Sequence, residues 1–139
     1  MAVFDVELLD SSGEGDSPAQ RARLAMLSDV LHERLAESGR YRLVDLAPVA
    51  EEIDRQRPLY RCGGCQLALT RQVGADLALN VIVRKVSTLK QEIALIVADV
   101  RSDEIVAFHS VSIRNNSDRA WREGLLYILD NRLLRDDAP

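Results

Sequence analysis

The run Leu77-Ala78-Leu79-Asn80-Val81-Ile82-Val83 carries one polar side chain in seven and follows Gly74-Ala75-Asp76. A segment this apolar and β-branched, entered through a glycine stop, belongs in the middle of a sheet. Upstream of the glycine lies Arg61-Cys62-Gly63-Gly64-Cys65-Gln66-Leu67-Ala68-Leu69-Thr70-Arg71-Gln72-Val73, a two-cysteine turn leading into a short helix. Downstream, two more β-rich runs at about 91–101 and 104–114 are separated by breaks short enough for hairpins. In the first of these, Ile93, Leu95 and Val97 alternate with Ala94, Ile96 and Ala98, so this strand is apolar on both faces and should be covered on both.

The N-terminal half supplies the partners. Residues 2–9 read as a first strand, 10–18 as turn chemistry, and 19–38 as a helix whose Leu24, Leu27, Leu31 and Leu35 form one stripe. Gly39 is its left-handed stop. Tyr41-Arg42-Leu43-Val44 reads as a short second strand, and Asp45 caps a second helix that turns Val49 and Ile53 inward. Asn115-Asn116-Ser117-Asp118 caps a last helix through about Leu134, with Trp121, Leu125, Ile128 and Leu129 against the sheet. The expected fold is one α/β domain over residues 1–134 with a tail at 135–139. Its five-stranded mixed sheet has the order 2-1-3-4-5, with three parallel strands, a closing antiparallel meander and helices on both faces.

Composition excludes several classes. The net charge is -4 and the basic residues are scattered, which argues against a nucleic-acid partner. No apolar run approaches the roughly 18 residues of a membrane span. Met1 is followed directly by the first strand. Either the chain acts in the cytosol or a leader has been removed, and a start flush against a core strand favours the second.

Three constellations could carry chemistry. Cys62-Gly63-Gly64-Cys65 admits a structural disulfide, reduced structural thiols, a dithiol redox centre with Cys62 as attacking thiol, or part of a metal site. The redox reading lacks a strand immediately before the motif and a proline facing it. Zinc would need two further ligands, and the only histidines, His32 and His109, lie in a helix and a strand. The structural disulfide leads. Asp10, Ser12, Glu14, Gly15 and Asp16 imitate half a calcium loop, but the twelfth position is Arg21 where a Glu is required, so a solvated acidic loop is the better account. Arg114, Asn115, Asp118, Trp121 and Arg122 make a third patch: a helix cap with a tryptophan at its foot, or a protein-contact hot spot. No triad, carboxylate pair or nucleotide-binding glycine pattern is present, and no cofactor is implied. Strand five, at the sheet edge with Ile105, Ala107, His109, Val111 and Ile113 on one side, can pair with a second copy.

Read in order, Val3–Asp10, Ser38–Pro48, Cys62-Gly63-Gly64-Cys65, Gly74-Ala75-Asp76, Lys85-Val86-Ser87 and Arg114–Arg122 resemble a proteobacterial family of small exported proteins, DUF2380 or DUF3280. More distantly the layout is similar to the N-terminal domain of TolB and to the curli-secretion lipoprotein CsgG. The resemblance implies a periplasmic or envelope protein that binds another protein and is not an enzyme. It brings no catalytic residues.

Overall fold

A computed structural model describes residues 1–135. Its sheet has five strands: β1 (Ala2–Val3), β2 (Glu7–Asp10), β3 (Leu77–Ser87), β4 (Lys90–Asp99) and β5 (Glu104–Ile113). β3 is central. β1 and β2 both run parallel to it on one side, while β4 and β5 follow as an antiparallel meander on the other. Four helices join them: α1 (Pro18–Ser38), α2 (Ala50–Gln56), α3 (Cys65–Gln72) and α4 (Asp118–Ile128), the last continuing into a wide turn over Leu129–Leu133.

The strand count of five is reached differently from the sequence expectation. The predicted first strand is broken into β1 and β2, with four steps from Val3 to Glu7 set against three from Leu79 to Ile82. The extra residue is a bulge, and it leaves the Val6 amide without a ladder partner. Ser28 Oγ on α1 accepts that N–H at 2.9 Å, so the break is not left unsatisfied. The bulge also switches faces: Phe4 and Glu7 both lie on the side opposite α1.

The predicted strand at Tyr41–Val44 is not a strand. It does lie beyond β1 as expected, bound by Val44 N–H to Met1 O at 3.0 Å and by the Met1 amine to Arg42 O at 2.6 Å. Two bonds are too few for a ladder, because β1 itself is only two residues long.

α1 and α4 seal one face. Leu27, Leu31 and Leu35 meet Leu79, Val81, Val83, Ile93 and Leu95, together with Trp121, Leu125, Ile128 and Leu129, all essentially without solvent exposure. Ser17 caps α1 through the Gln20 N–H, and Gly39 ends it at φ 67°. Gly124 lets α4 approach closely, since a Cβ there would meet Ile113 Cδ1 at 2.7 Å.

The other face is covered only in part. α2 and α3 bury Ala2, Phe4, Val49, Ile53, Leu59, Leu69, Ala78 and Val100. Beyond them Ala94, Ile96 and Ala98 on β4 stay half-buried, so the expected covering of this strand on both sides fails on one. On β5 a bulge opposite Val97 and Ala98 pairs Ala98 with Ile105 and Val97 with Ala107. Ile105 therefore does not share a face with Ala107, His109, Val111 and Ile113 as the alternation suggested.

Candidate functional site

The cysteines form the tie that the sequence favoured. Cys62 and Cys65 are disulfide-bonded with Cα atoms 5.6 Å apart, within ordinary disulfide geometry. Both are partly buried against the second core cluster. Gly64 takes φ 90° just before α3, a conformation that only glycine adopts cheaply, and the Cys65 N–H points at Cys62 Sγ at 3.2 Å. The other polar neighbour of that sulfur is Gln66 Oε1 at 3.5 Å, a neutral amide that would not activate a thiol.

A residue the sequence reading passed over holds this turn in place. Glu7 is 9% exposed, and its carboxylate accepts the Leu59 N–H at 2.9 Å and the Tyr60 N–H at 3.2 Å, with Arg57 Nη1 at 3.4 Å. A buried carboxylate needs such donors. The far end of the same cover is fastened by Arg71 on α3 to Asp103 at 2.6 Å. The peptide bond between Arg57 and Pro58 is cis. A glutamate in an alternating strand gives no sign of its partner 52 residues on; only the bulge that turns it toward the loop explains its place.

The acidic loop is built, and Asp10, Glu14 and Asp16 each have a partner, although Asp10 Oδ2 is buried without one of its own. Asp10 Oδ1 accepts from the Ser12 N–H and hydroxyl at 2.8 and 2.5 Å. Glu14 accepts from Lys85 Nζ at 3.1 Å and from the Thr88 hydroxyl. Lys85, 3% exposed, also donates to Gln20 Oε1 at 3.1 Å. Glu14 is thus already paired with an ammonium. Hydroxyl bonds hold both carboxyl groups below their ordinary values: the Ser12 hydroxyl for Asp10, and for Glu14 that of Thr88 followed by Lys85. Asp16 pairs with Arg21, the residue that replaces the missing calcium ligand. Among the described residues no cluster of three or more His, Cys, Asp or Glu is arranged to hold a metal.

The third patch lies beside this loop. Ser17, Gln20, Lys85, Glu14, Arg23 and Asn116 line one small cavity of about 150 Å³. Arg23 bridges the two regions: it donates to Asn116 Oδ1 and Asp118 Oδ1, both at 2.7 Å, and its guanidinium lies 4.9 Å from the Trp121 ring. Trp121 is fully buried, so its ring is a core residue under that guanidinium. Arg114, Asn115 and Arg122 remain exposed around it.

His32 lies 3.5 Å from Asp5 in a cleft of about 370 Å³ that also takes in Arg57, Asp45 and Asp54. The hydrogen bond from His32, then the Arg57 charge, hold the Asp5 carboxyl below its ordinary value. No hydroxyl or thiol nucleophile lines this cleft. A larger cavity of about 590 Å³ opens at the β5 edge between Tyr41, Leu77, Ala107, His109 and Leu133, adjoining Arg135, the last described residue.

Val106 and Phe108, which also line that cavity, belong to an exposed apolar patch. On the half-covered face Ile105, Val106 and Phe108 are 64%, 51% and 57% exposed, next to Ile96 on β4. Monomeric proteins rarely leave such neighbours uncovered together.

The model of the family described as "Protein of unknown function (DUF2380)", DUF3280, matches residues 1–133. The chain belongs to this family. Among curated proteins none matches it. Its fold is shared with the C-terminal domain of LpoB from Escherichia coli, at 16% identity and a TM-score of 0.56 over 80% of this chain and 83% of that one. It is shared also with lipoprotein GNA1162 from Neisseria meningitidis, at 20% identity and a TM-score of 0.56 over 99% of both chains. TolB from Acinetobacter baumannii is matched at 10% identity and a TM-score of 0.46, over 91% of this chain and 27% of that protein. No helix among the described residues is long and apolar enough to cross a membrane.

Proposed function

We propose that this DUF3280 chain works in the periplasm as a single non-enzymatic accessory domain over residues 1–134, and that it acts by docking a protein partner on the uncovered face of β4 and β5. The observation that carries the reading is the exposure of Ile105, Val106 and Phe108 on a strand whose neighbour is apolar on the same side. The Cys62–Cys65 bond supports an oxidising compartment, and the full-length likeness in fold to a lipoprotein supports the envelope. In this account the disulfide is structural: it stiffens the edge of the cover that borders the bare face. The rim formed by Asp10, Ser12, Glu14 and Asp16 with Arg114, Asn115, Asp118 and Arg122 is a second, polar contact region. Trp121 contributes to it by fixing Arg23 from below.

Photocrosslinking inside the cell tests this. A photoreactive residue at position 108 should give an adduct of discrete mass, and one at the exposed Glu37 on α1 should give none. Silence at 108 with strong adducts at 14 or 122 would move the site to the polar rim and overturn the assignment to the sheet face.

A further inference from the structure

The bare face ends at β5, and β5 is the edge of the sheet. β4 pairs with it along one side, and no described strand pairs along the other. Alternate residues of a ten-residue strand therefore keep N–H and C=O groups without a strand partner. Proteins that must stay apart guard such an edge with charges, prolines or a short strand. From Ile105 to Ile113 this edge has no Lys, Arg, Asp, Glu or Pro.

Its two ends do carry charge, and of opposite sign. Glu104 opens the strand and Arg114 follows its last residue. Both are exposed, and neither side chain has a hydrogen bond or ion pair with a described residue. A strand that is negative at one end, positive at the other and uncharged between them, with His109, Ser110 and Ser112 its only polar side chains there, is complementary to itself when reversed. An unlike partner would have to reproduce that order. A second copy running antiparallel does so by symmetry, and makes each contact twice.

We propose that two copies of this chain join through β5, antiparallel about a two-fold axis near Phe108 and His109, so that one sheet continues through both. This rests on the reading of β5 and its bare face as the docking surface. The Glu104 end of each strand then lies against the Arg114 end of the other. The two His109 then face each other at the axis, and the two Phe108 side chains lie diagonally across it on the uncovered face, where the Ile96 side chains add to the same apolar surface.

Sedimentation equilibrium on the full chain, from micromolar to about 1 mM, reads the dissociation constant. The wild type should dimerise. Glu104→Arg and Arg114→Glu should each weaken the dimer about tenfold or more, because each reversal places two like-charged pairs across the axis. The double reversal should recover to within about threefold of wild type. Phe108→Asp should abolish the dimer by replacing two apolar side chains beside the axis with two carboxylates diagonally across it. Unchanged thermal unfolding of each variant shows that the fold is intact.

A monomer throughout the range overturns the proposal. So does a dimer that neither single reversal weakens, or a double variant that stays as weak as the singles. If the wild type is monomeric while a photoreactive residue at 108 still captures one discrete protein, only the second copy falls and the docking face stands. If both fail, both readings fall.

Discussion

Ile93, Leu95 and Val97 are at most 2% exposed, whereas Ala94, Ile96 and Ala98, interleaved with them on the same strand, remain half-buried. The two sets are similarly apolar and differ in what lies above them. α1 has 21 residues, about 31 Å of helix, and with α4 it spans a ten-residue strand of about 34 Å. On the opposite face α2 and α3 have seven and eight residues, about 10–12 Å each. They roof the β1 end of the sheet and stop. The lesson is that cover, not hydrophobicity, decides which half of β4 is core, and the uncovered half is left for something outside the chain.

The contrast can be broken by mutation. Leu95→Ala should cost about 3–4 kcal/mol, since it removes a fully buried side chain from a packed cluster. Equilibrium urea unfolding measures it. Glu7→Ala should come next, at about 2–3 kcal/mol, because it strands two main-chain donors and Arg57 beneath the second-face cover. The double variant Cys62→Ser, Cys65→Ser should lose about 2 kcal/mol, as expected for closing a very small ring, with the near-ultraviolet signal of the buried Trp121 unchanged. Ile96→Ala should cost about 1 kcal/mol or less, because part of its surface is already in water. An Ile96→Ala loss equal to that of Leu95→Ala would show the two faces to be sealed alike.

The smallest effect is pH-dependent. Asp5 has its carboxyl held down by His32 and Arg57, so the stabilisation it gives is fully present above the ordinary aspartate value and is lost as pH falls through the lowered one. Melting temperature should therefore fall less between pH 6 and pH 3 in Asp5→Asn than in the wild type. Because Asp5 is well exposed, the difference should be a small fraction of the total acid effect.

Much of this architecture is legible in the residues. The leucine stripe of α1, the stops at Gly39 and Gly74, the meander and the cysteine tie all follow from local chemistry. Asp45, expected to cap the second helix, instead accepts the Ala47 N–H in a local turn, and α2 starts at Ala50 after Val49 with no side-chain cap. What is not legible depends on register. Tyr41–Val44 has strand composition but meets only a two-residue partner. The bulges at residues 4–6 and opposite Val97 reverse the faces of Glu7 and Ile105, and nothing in an alternating pattern marks where the extra residue falls. Arg23 looks solvent-facing by its helical spacing, yet its side chain is 13% exposed over Trp121. The acidic loop and the Asn115–Arg122 patch are separately visible in sequence, but their shared cavity at Arg23 is a tertiary fact. Of the expected tail, residues 136–139 lie outside the described residues.

Amide hydrogen exchange with and without the bound partner, whether a second copy at high concentration or a captured protein, tests the central claim most directly. Slowed exchange confined to residues 104–113 and the facing part of β4 is the predicted result. Slowed exchange at 10–17 and 114–122, with β5 unchanged, would contradict it.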